Sequence, residues 1–222
     1  MGLFENKNIT RKSFVKTMAC AAAGCACFQF HSFAIADSGN ISKQVNNDQN
    51  SGDREKLVAT CGMYCGACPT YIAAQTNDEE KKKTVLKQLN QLLPEPAKLK
   101  IEDLVCDGCM GAGRIYPSCR SCAIRSCTGD KQDVARCSDC PDFPCSRITD
   151  FNKAGMAYHG NILHNLEQVR KIGLKKWAKY EEERWQCPEC LSPISWIDTK
   201  CLNCGAPRSE RLFPAPQVGK QP

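Results

Sequence analysis

Residues 106–150 hold eight cysteines but no leucine or tryptophan, and only seven large apolar side chains: Met110, Ile115, Tyr116, Ile124, Val134, Phe143 and Ile148. Ordering the backbone costs about 1–2 kcal/mol per residue in entropy. So little carbon cannot offset that cost by burial. A structural zinc site supplies on the order of 10–16 kcal/mol of apparent binding free energy. Two or more such sites would tip a balance that packing alone cannot, so cross-links through sulfur are the main support available to this segment.

Fifteen of the eighteen cysteines lie beyond residue 36, in two groups. The first is Cys61, Cys65, Cys68, Cys106, Cys109, Cys119, Cys122, Cys127, Cys137, Cys140 and Cys145; the second is Cys187, Cys190, Cys201 and Cys204. Many are two residues apart, a spacing at which one tight turn aims two thiolates at a single ion. Such clusters are metal sites in a reducing cytosol and disulfides in an oxidising compartment. The first group is odd in number, so a disulfide framework leaves one thiol over. Three four-coordinate sites need a twelfth ligand, which His159 or His164 could supply as a neutral imidazole. His159 is preferred because Tyr158-His159-Gly160 reads as a turn before the next helix. A helix-surface or core role for either histidine stands beside ligation, and two metal sites with three free thiols is the competing count.

The N-terminus decides between metal and disulfide. Thr10-Arg11-Lys12-Ser13-Phe14-Val15-Lys16 resembles a twin-arginine export signal, with Lys12 in place of the second arginine. Thr17–Ala36 carries no charged residue, and Ala34-Ile35-Ala36 gives a small-x-small pattern that predicts cleavage after Ala36. Gln29, His31 and Ser32 interrupt the apolar run, so no stable transmembrane span is expected. The expected location is the periplasm or another extracytoplasmic space of a prokaryote. Acylation at Ala23-Gly24-Cys25 or an uncleaved anchor would instead leave the protein tethered to the membrane. The twin-arginine route carries folded proteins, so thiolates already holding metal would leave the cell protected from scrambling. Secretion through the Sec route would deliver them unfolded.

The formal net charge of +6 is no evidence for a nucleic-acid partner. Removing the leader, with four basic residues and one acidic residue, lowers it to +3. Each tetrathiolate zinc site then contributes a further −2. No nucleic-acid partner is expected, and a protein partner is left unidentified. The predicted organisation is an export signal at 1–36, a polar linker at 37–56, a cysteine-rich domain at 57–155, a helical segment at 156–186, a zinc ribbon at 187–206 and a disordered tail at 207–222.

Helical periodicity is clearest over Asp78–Leu93, where Val85, Leu86, Leu89, Leu92 and Leu93 share a face before Pro94. Glu79 is expected to pair with Lys83 one turn on. A shorter helix should run from Cys68 through Ala74 and pack against it. From Ile162 the pattern is again helical, with a break at Gly173 and a continuation through Trp177 and Tyr180. Cys187-Pro188-Glu189-Cys190, ten residues, then Cys201-Leu202-Asn203-Cys204-Gly205 reads as a zinc ribbon. Gly205 should let the backbone donate to a sulfur, and Pro193-Ile194-Ser195-Trp196-Ile197 should form one arm of a hairpin with Trp196 over the metal. The fold class expected is a small α-rich, cysteine-rich domain stabilised by metal, of helices and knuckle loops, followed by a helical segment and a β-hairpin ribbon.

The first domain's motifs occur in a fixed order: Cys61-Gly62-Met63-Tyr64-Cys65-Gly66-Ala67-Cys68-Pro69-Thr70-Tyr71, then Cys106-Asp107-Gly108-Cys109, then Cys119-x-x-Cys122-Ala123-Ile124-Arg125-x-Cys127, then Cys137-x-x-Cys140-Pro141-x-Phe143-Pro144-Cys145. Over about residues 57–150 this resembles the uncharacterised prokaryotic family called domain of unknown function 3795. The resemblance implies a small zinc-binding module and brings no established reaction or substrate. The leader departs from the cytosolic character of that family.

Three functional classes follow. The first is an exported multi-zinc scaffold that is structural or presents a protein-binding surface, since no catalytic constellation stands out. The second is an iron–sulfur redox or electron-transfer protein. Cys61-x3-Cys65-x2-Cys68 has the spacing of radical S-adenosylmethionine enzymes, but the chain lacks the strand–helix alternation their barrel requires. The ribbon spacing also fits a rubredoxin-type iron site. The third is thiol–disulfide exchange, which would place a pair at a helix start on a thioredoxin-like sheet.

Overall fold

Helices and tight turns carry the cysteines into three small cores. The computed structural model describes residues 52–95, 97–153 and 161–212. The export signal, most of the linker, His159 and residues 213–222 lie outside the described residues. The described part of α1 covers 52–56 and ends where the Leu57 amide donates to the Arg54 carbonyl at 3.1 Å. There follow α2 (Pro69–Gln75), α3 (Glu79–Leu92), α4 (Pro117–Arg120), α5 (Ala123–Gly129), α6 (Ser146–Asn152), α7 (Ile162–Ile172) and α8 (Leu174–Arg184). Short 3-10 turns occupy Cys65–Ala67, Ile101–Asp103 and Cys137–Asp139.

Local chemistry explains the boundaries. Pro69 stands at the first position of α2, where its missing N–H costs nothing. Asp78 caps α3, its carboxylate accepting from the Lys81 amide at 3.1 Å. The ion pairs on α3 fall one residue closer than expected: Lys82 with Glu79 and Lys83 with Glu80, both at 2.8 Å. Gly173, with φ +86, separates α7 from α8 at the expected break. No helix among the described residues is long and apolar enough to cross a membrane.

The smallest core packs Val85 of α3 on Ala73 of α2 and Leu104. A second places Ile162 and Leu166 of α7 against Ile124, Ile148 and Cys61. The largest joins Val58, Tyr64 and Ala67 to Trp177 and Ala178 of α8, and both to Trp185, Cys187, Ile194, Trp196, Cys201 and Leu212. The terminal module therefore shares its core with the start of the first domain.

The β-hairpin ribbon is not formed. Among the described residues there is no β-strand, only isolated antiparallel bridges at Val58–Tyr64, Gln186–Pro193 and Lys200–Pro207. Both terminal bridges end on a proline, which has no N–H to extend a ladder. The expected hairpin arm bends instead. The Ile194 amide donates to the Trp185 carbonyl at 2.8 Å, that of Ser195 to the Asp198 carboxylate at 2.7 Å, and that of Trp196 to the Ala67 carbonyl at 3.0 Å. Packing also extends past Ala206. Arg208 donates to the carbonyls of Ser195 at 2.8 Å and Asp198 at 2.6 Å, and Leu212 is buried.

Candidate metal centre

Two knuckles of the same design face each other at the C-terminal end. In the first, the Cys187 amide donates to the Ser192 carbonyl and the Leu191 amide to the Cys187 carbonyl, both at 2.9 Å. In the second, the Cys201 amide donates to the Ala206 carbonyl at 2.8 Å and the Gly205 amide to the Cys201 carbonyl at 2.9 Å. The residue four after each leading cysteine has positive φ: +58 at Leu191 and +79 at Gly205. Gly205 thus donates to oxygen, not to sulfur as its position suggested. The Asn203 amide reaches sulfur, 3.4 Å from Cys201 Sγ, and its side-chain nitrogen lies 3.6 Å from Cys190 Sγ.

The knuckles bring the sulfurs of Cys187, Cys190, Cys201 and Cys204 within 4.8 Å of one another. Cys187 and Cys204 are 3.7 Å apart, and Cys190 and Cys201 are 3.6 Å apart. A disulfide needs about 2.05 Å. Four sulfurs at about 2.3 Å from one tetrahedral ion would stand about 3.8 Å from each other. The spacing suits a shared metal ion. Cys187 and Cys201 form the buried floor, and Cys204 faces solvent. Hydrogen bonds from the Ser192 hydroxyl and amide and from Asn203 lower Cys190 to about 6. At Cys204 the Ala206 amide favours the thiolate, but hydrogen bonds to Cys190, Cys187 and Cys201 and desolvation outweigh it and push the thiol up to about 12.

Among the described residues, the other eleven cysteines make no group this tight. They are nonetheless gathered. Cys61 is buried in the second core, with Cys65, Cys109, Cys122, Cys137 and Cys145 packed against it. Burial raises the thiol of Cys65 despite the Cys109 amide, with added repulsion from Cys68, Cys109 and Cys61. Burial pushes Cys68 up to about 11, opposed by the Tyr71 amide and reinforced by Cys106. Cys119, although exposed at the surface, is pushed up to about 12 by partial desolvation and then by Cys68, Cys109 and Cys106. Cys137 also rises to about 12, by burial and then by Cys145, Cys127, Cys140 and Cys122. Cys106 and Cys140 are buried, and the Gly108 amide reaches Cys106 Sγ at 3.4 Å.

His164 points away from this chemistry: it is exposed and meets Trp177 edge-on, with ring centroids 6.2 Å apart. Sequence reasoning missed three polar residues around sulfur. Asn203 was visible inside its knuckle. Lys131, 3.2 Å from Cys140 Sγ, and Arg170, which holds the Cys137–Cys140 turn, carry no signal in spacing because their contacts depend on the fold.

Residues 57–150 match the family described as protein of unknown function (DUF3795). That segment is where the ordered cysteine motifs lie, and the terminal quartet falls outside it. No curated protein and no solved structure matches the chain. The DUF3795 segment and the quartet together make this a helix-rich protein with a cysteine cluster fit for metal binding.

Proposed function

We propose that this protein is an exported multi-zinc module with a structural or protein-interaction role. The terminal quartet carries the reading, because its four sulfurs lie within 4.8 Å of one another and would fill all four positions of a tetrahedral ion. A catalytic zinc keeps a position open for water or substrate, whereas a closed site of four thiolates stabilises a fold. Zinc suits such a site because it has no redox chemistry of its own. The core shared between the quartet and residues 58–67 gives a bound ion a structural task, since Cys187 and Cys201 lie within it. The twin-arginine-like leader supports export with metal already loaded. Iron, as a mononuclear site or a cluster, and thiol–disulfide exchange are the competing readings.

Elemental analysis of anaerobically purified, natively exported protein tests the proposal. The expected protein is colourless, carries several zinc ions per chain and begins at Asp37. Brown protein with stoichiometric iron and sulfide overturns the zinc reading, and persistent disulfides in metal-free, unreduced material favour thiol exchange.

A further inference from the structure

We propose that Cys127, Cys137, Cys140 and Cys145 hold one divalent metal ion between them, in a second site separate from the terminal quartet. All four line a single cavity of about 30 Å³. One water needs roughly 10–15 Å³ of such space, so an ion fits. The inference rests on the multi-zinc reading and deepens it by assigning four of the eleven remaining cysteines to one ion.

Three pieces of backbone deliver the four ligands. Cys127 projects from α5, and Cys145 is the residue that opens α6. Cys137 and Cys140 flank a 3-10 turn in which the Cys140 amide donates to the Cys137 carbonyl at 3.2 Å. Ile124 and Ile148, both buried, complete the wall beneath them. Convergence of four thiols from three elements on one cavity is a costly way to pack carbon. It is a natural way to surround an ion.

The surroundings are organised for a negatively charged centre. Lys131 Nζ lies 3.2 Å from Cys140 Sγ and 2.8 Å from the Asp142 carboxylate, so its position is fixed at the edge of the cavity. Such a donor offsets part of the −2 charge of a tetrathiolate ion and orients one sulfur. Arg170 of α7 donates to the carbonyls of Ser138 and Cys140, both at 2.6 Å, and lies 4.6 Å over the Phe143 ring. Arg147 ties α6 to α5 through the Ala123 carbonyl at 3.0 Å. The elements bearing the four cysteines are therefore held in place from outside the cavity. No three of their sulfurs lie within 4.8 Å of one another, unlike those of the quartet. Binding would have to draw them together, each thiol releasing its proton to solvent as its sulfur takes the ion.

This assignment leaves seven cysteines: Cys61, Cys65, Cys68, Cys106, Cys109, Cys119 and Cys122. The missing twelfth ligand then belongs to that remainder and not to this site.

Counting ions in the full chain by native mass spectrometry after zinc loading tests the assignment. Cys127→Ser and Cys145→Ser are each expected to carry one ion fewer than wild type. The double variant should lose that same single ion, and Cys201→Ser added to it should remove one more. Loss of two ions from the double variant, or none from either single variant while wild type holds several, overturns the site and leaves the multi-zinc reading standing. Wild type with no ion overturns both. Iron with the same pattern of loss supports the site and sinks only zinc. Cysteine alkylation on wild-type protein covers variants that fail to fold. Cys127, Cys137, Cys140 and Cys145 should become reactive together as chelator is added. Free labelling of one of them in loaded protein while the others stay protected overturns the site.

Discussion

Leu191 and Gly205 occupy equivalent places in the two knuckles, and only one of them is the residue the backbone prefers. Positive φ costs an L-residue roughly 1–2 kcal/mol, and Leu191 bears it with a side chain that is 67% exposed. Little packing is lost by removing that side chain. Leu191→Gly is expected to stabilise the loaded protein by about 0.5–1 kcal/mol, after subtracting the larger entropy glycine loses on folding. Gly205→Ala should destabilise by a similar amount, since nothing lies within 4 Å of the added methyl and only the dihedral is strained. Thermal melts of the zinc-loaded variants read both signs, and a drop in midpoint for Leu191→Gly would sink the argument. Arg136 shows the reverse economy. It is 9% exposed, and its guanidinium donates to the carbonyls of Val58 and Glu55, both at 2.9 Å. Burial lowers its pKa, yet its hydrogen bonds keep the α1 exit paired. Arg136→Met should cost about 1–3 kcal/mol by leaving the Val58 carbonyl without its donor, while the Glu55 carbonyl keeps the Val58 amide at 3.1 Å; urea denaturation giving less than about 0.5 kcal/mol would show that water replaces it.

Among the elements, α3 depends most on local signals and so was the easiest to read. Its carbon-rich face, Asp78 cap and acidic first turn are all contained within its own sequence. The Lys81 amide is the main cause of the lowered Asp78 pKa, with the Lys81 charge adding to it. A carboxylate with a lowered folded pKa stabilises above its unfolded value and loses that contribution as pH falls through the folded one. The stability gap between wild type and Asp78→Ala should therefore hold from neutral pH to about 5 and close below the ordinary carboxylate range near 3.9. The metal–thiolate bonds of the proposed sites would be lost from both chains in acid, so the difference in urea midpoint is the quantity to follow; a gap unchanged at low pH would rule out the carboxylate as the cap. The knuckles were legible for the same reason as α3, because two cysteines and a turn fit within five residues. The Pro193–Ile197 segment was not. Its apolar alternation suggested a hairpin arm, but the bond that fixes Trp196 goes to Ala67, far away in sequence. The grouping of the eleven central cysteines was hidden for that reason too, since Cys127, Cys137 and Cys145 meet only after α5 and α6 have packed.

At the scale of the whole molecule, the DUF3795 segment and the terminal module stand or fall together. Val58, Tyr64 and Ala67 bury the same surface as Trp185, Cys187, Trp196 and Cys201, with Trp177 and Ala178 of α8 between them. Arg54 of α1 pairs with Glu182 of α8 across the same contact. Trp185 is the keystone: it is buried, and its indole N–H donates to the Glu181 carboxylate at 3.1 Å. Truncating a buried tryptophan to alanine costs about 3–5 kcal/mol, and here it also takes a donor from Glu181, which is 2% exposed. Domains of this size are marginal by about 5–15 kcal/mol in total, so Trp185→Ala should unfold much of the population. In wild type, a core built from both ends of the described chain requires one cooperative transition. Tryptophan fluorescence, reporting on Trp177, Trp185 and Trp196, and alkylation of Cys61, reporting on the second core, should give the same urea midpoint. Chelation that strips an ion from the terminal quartet should lower both midpoints together, because Cys187 and Cys201 are core residues as well as the proposed ligands. Two separated transitions, with Cys61 still protected after the fluorescence change is complete, would mean that the terminal module folds alone and that the shared core contributes little to either half.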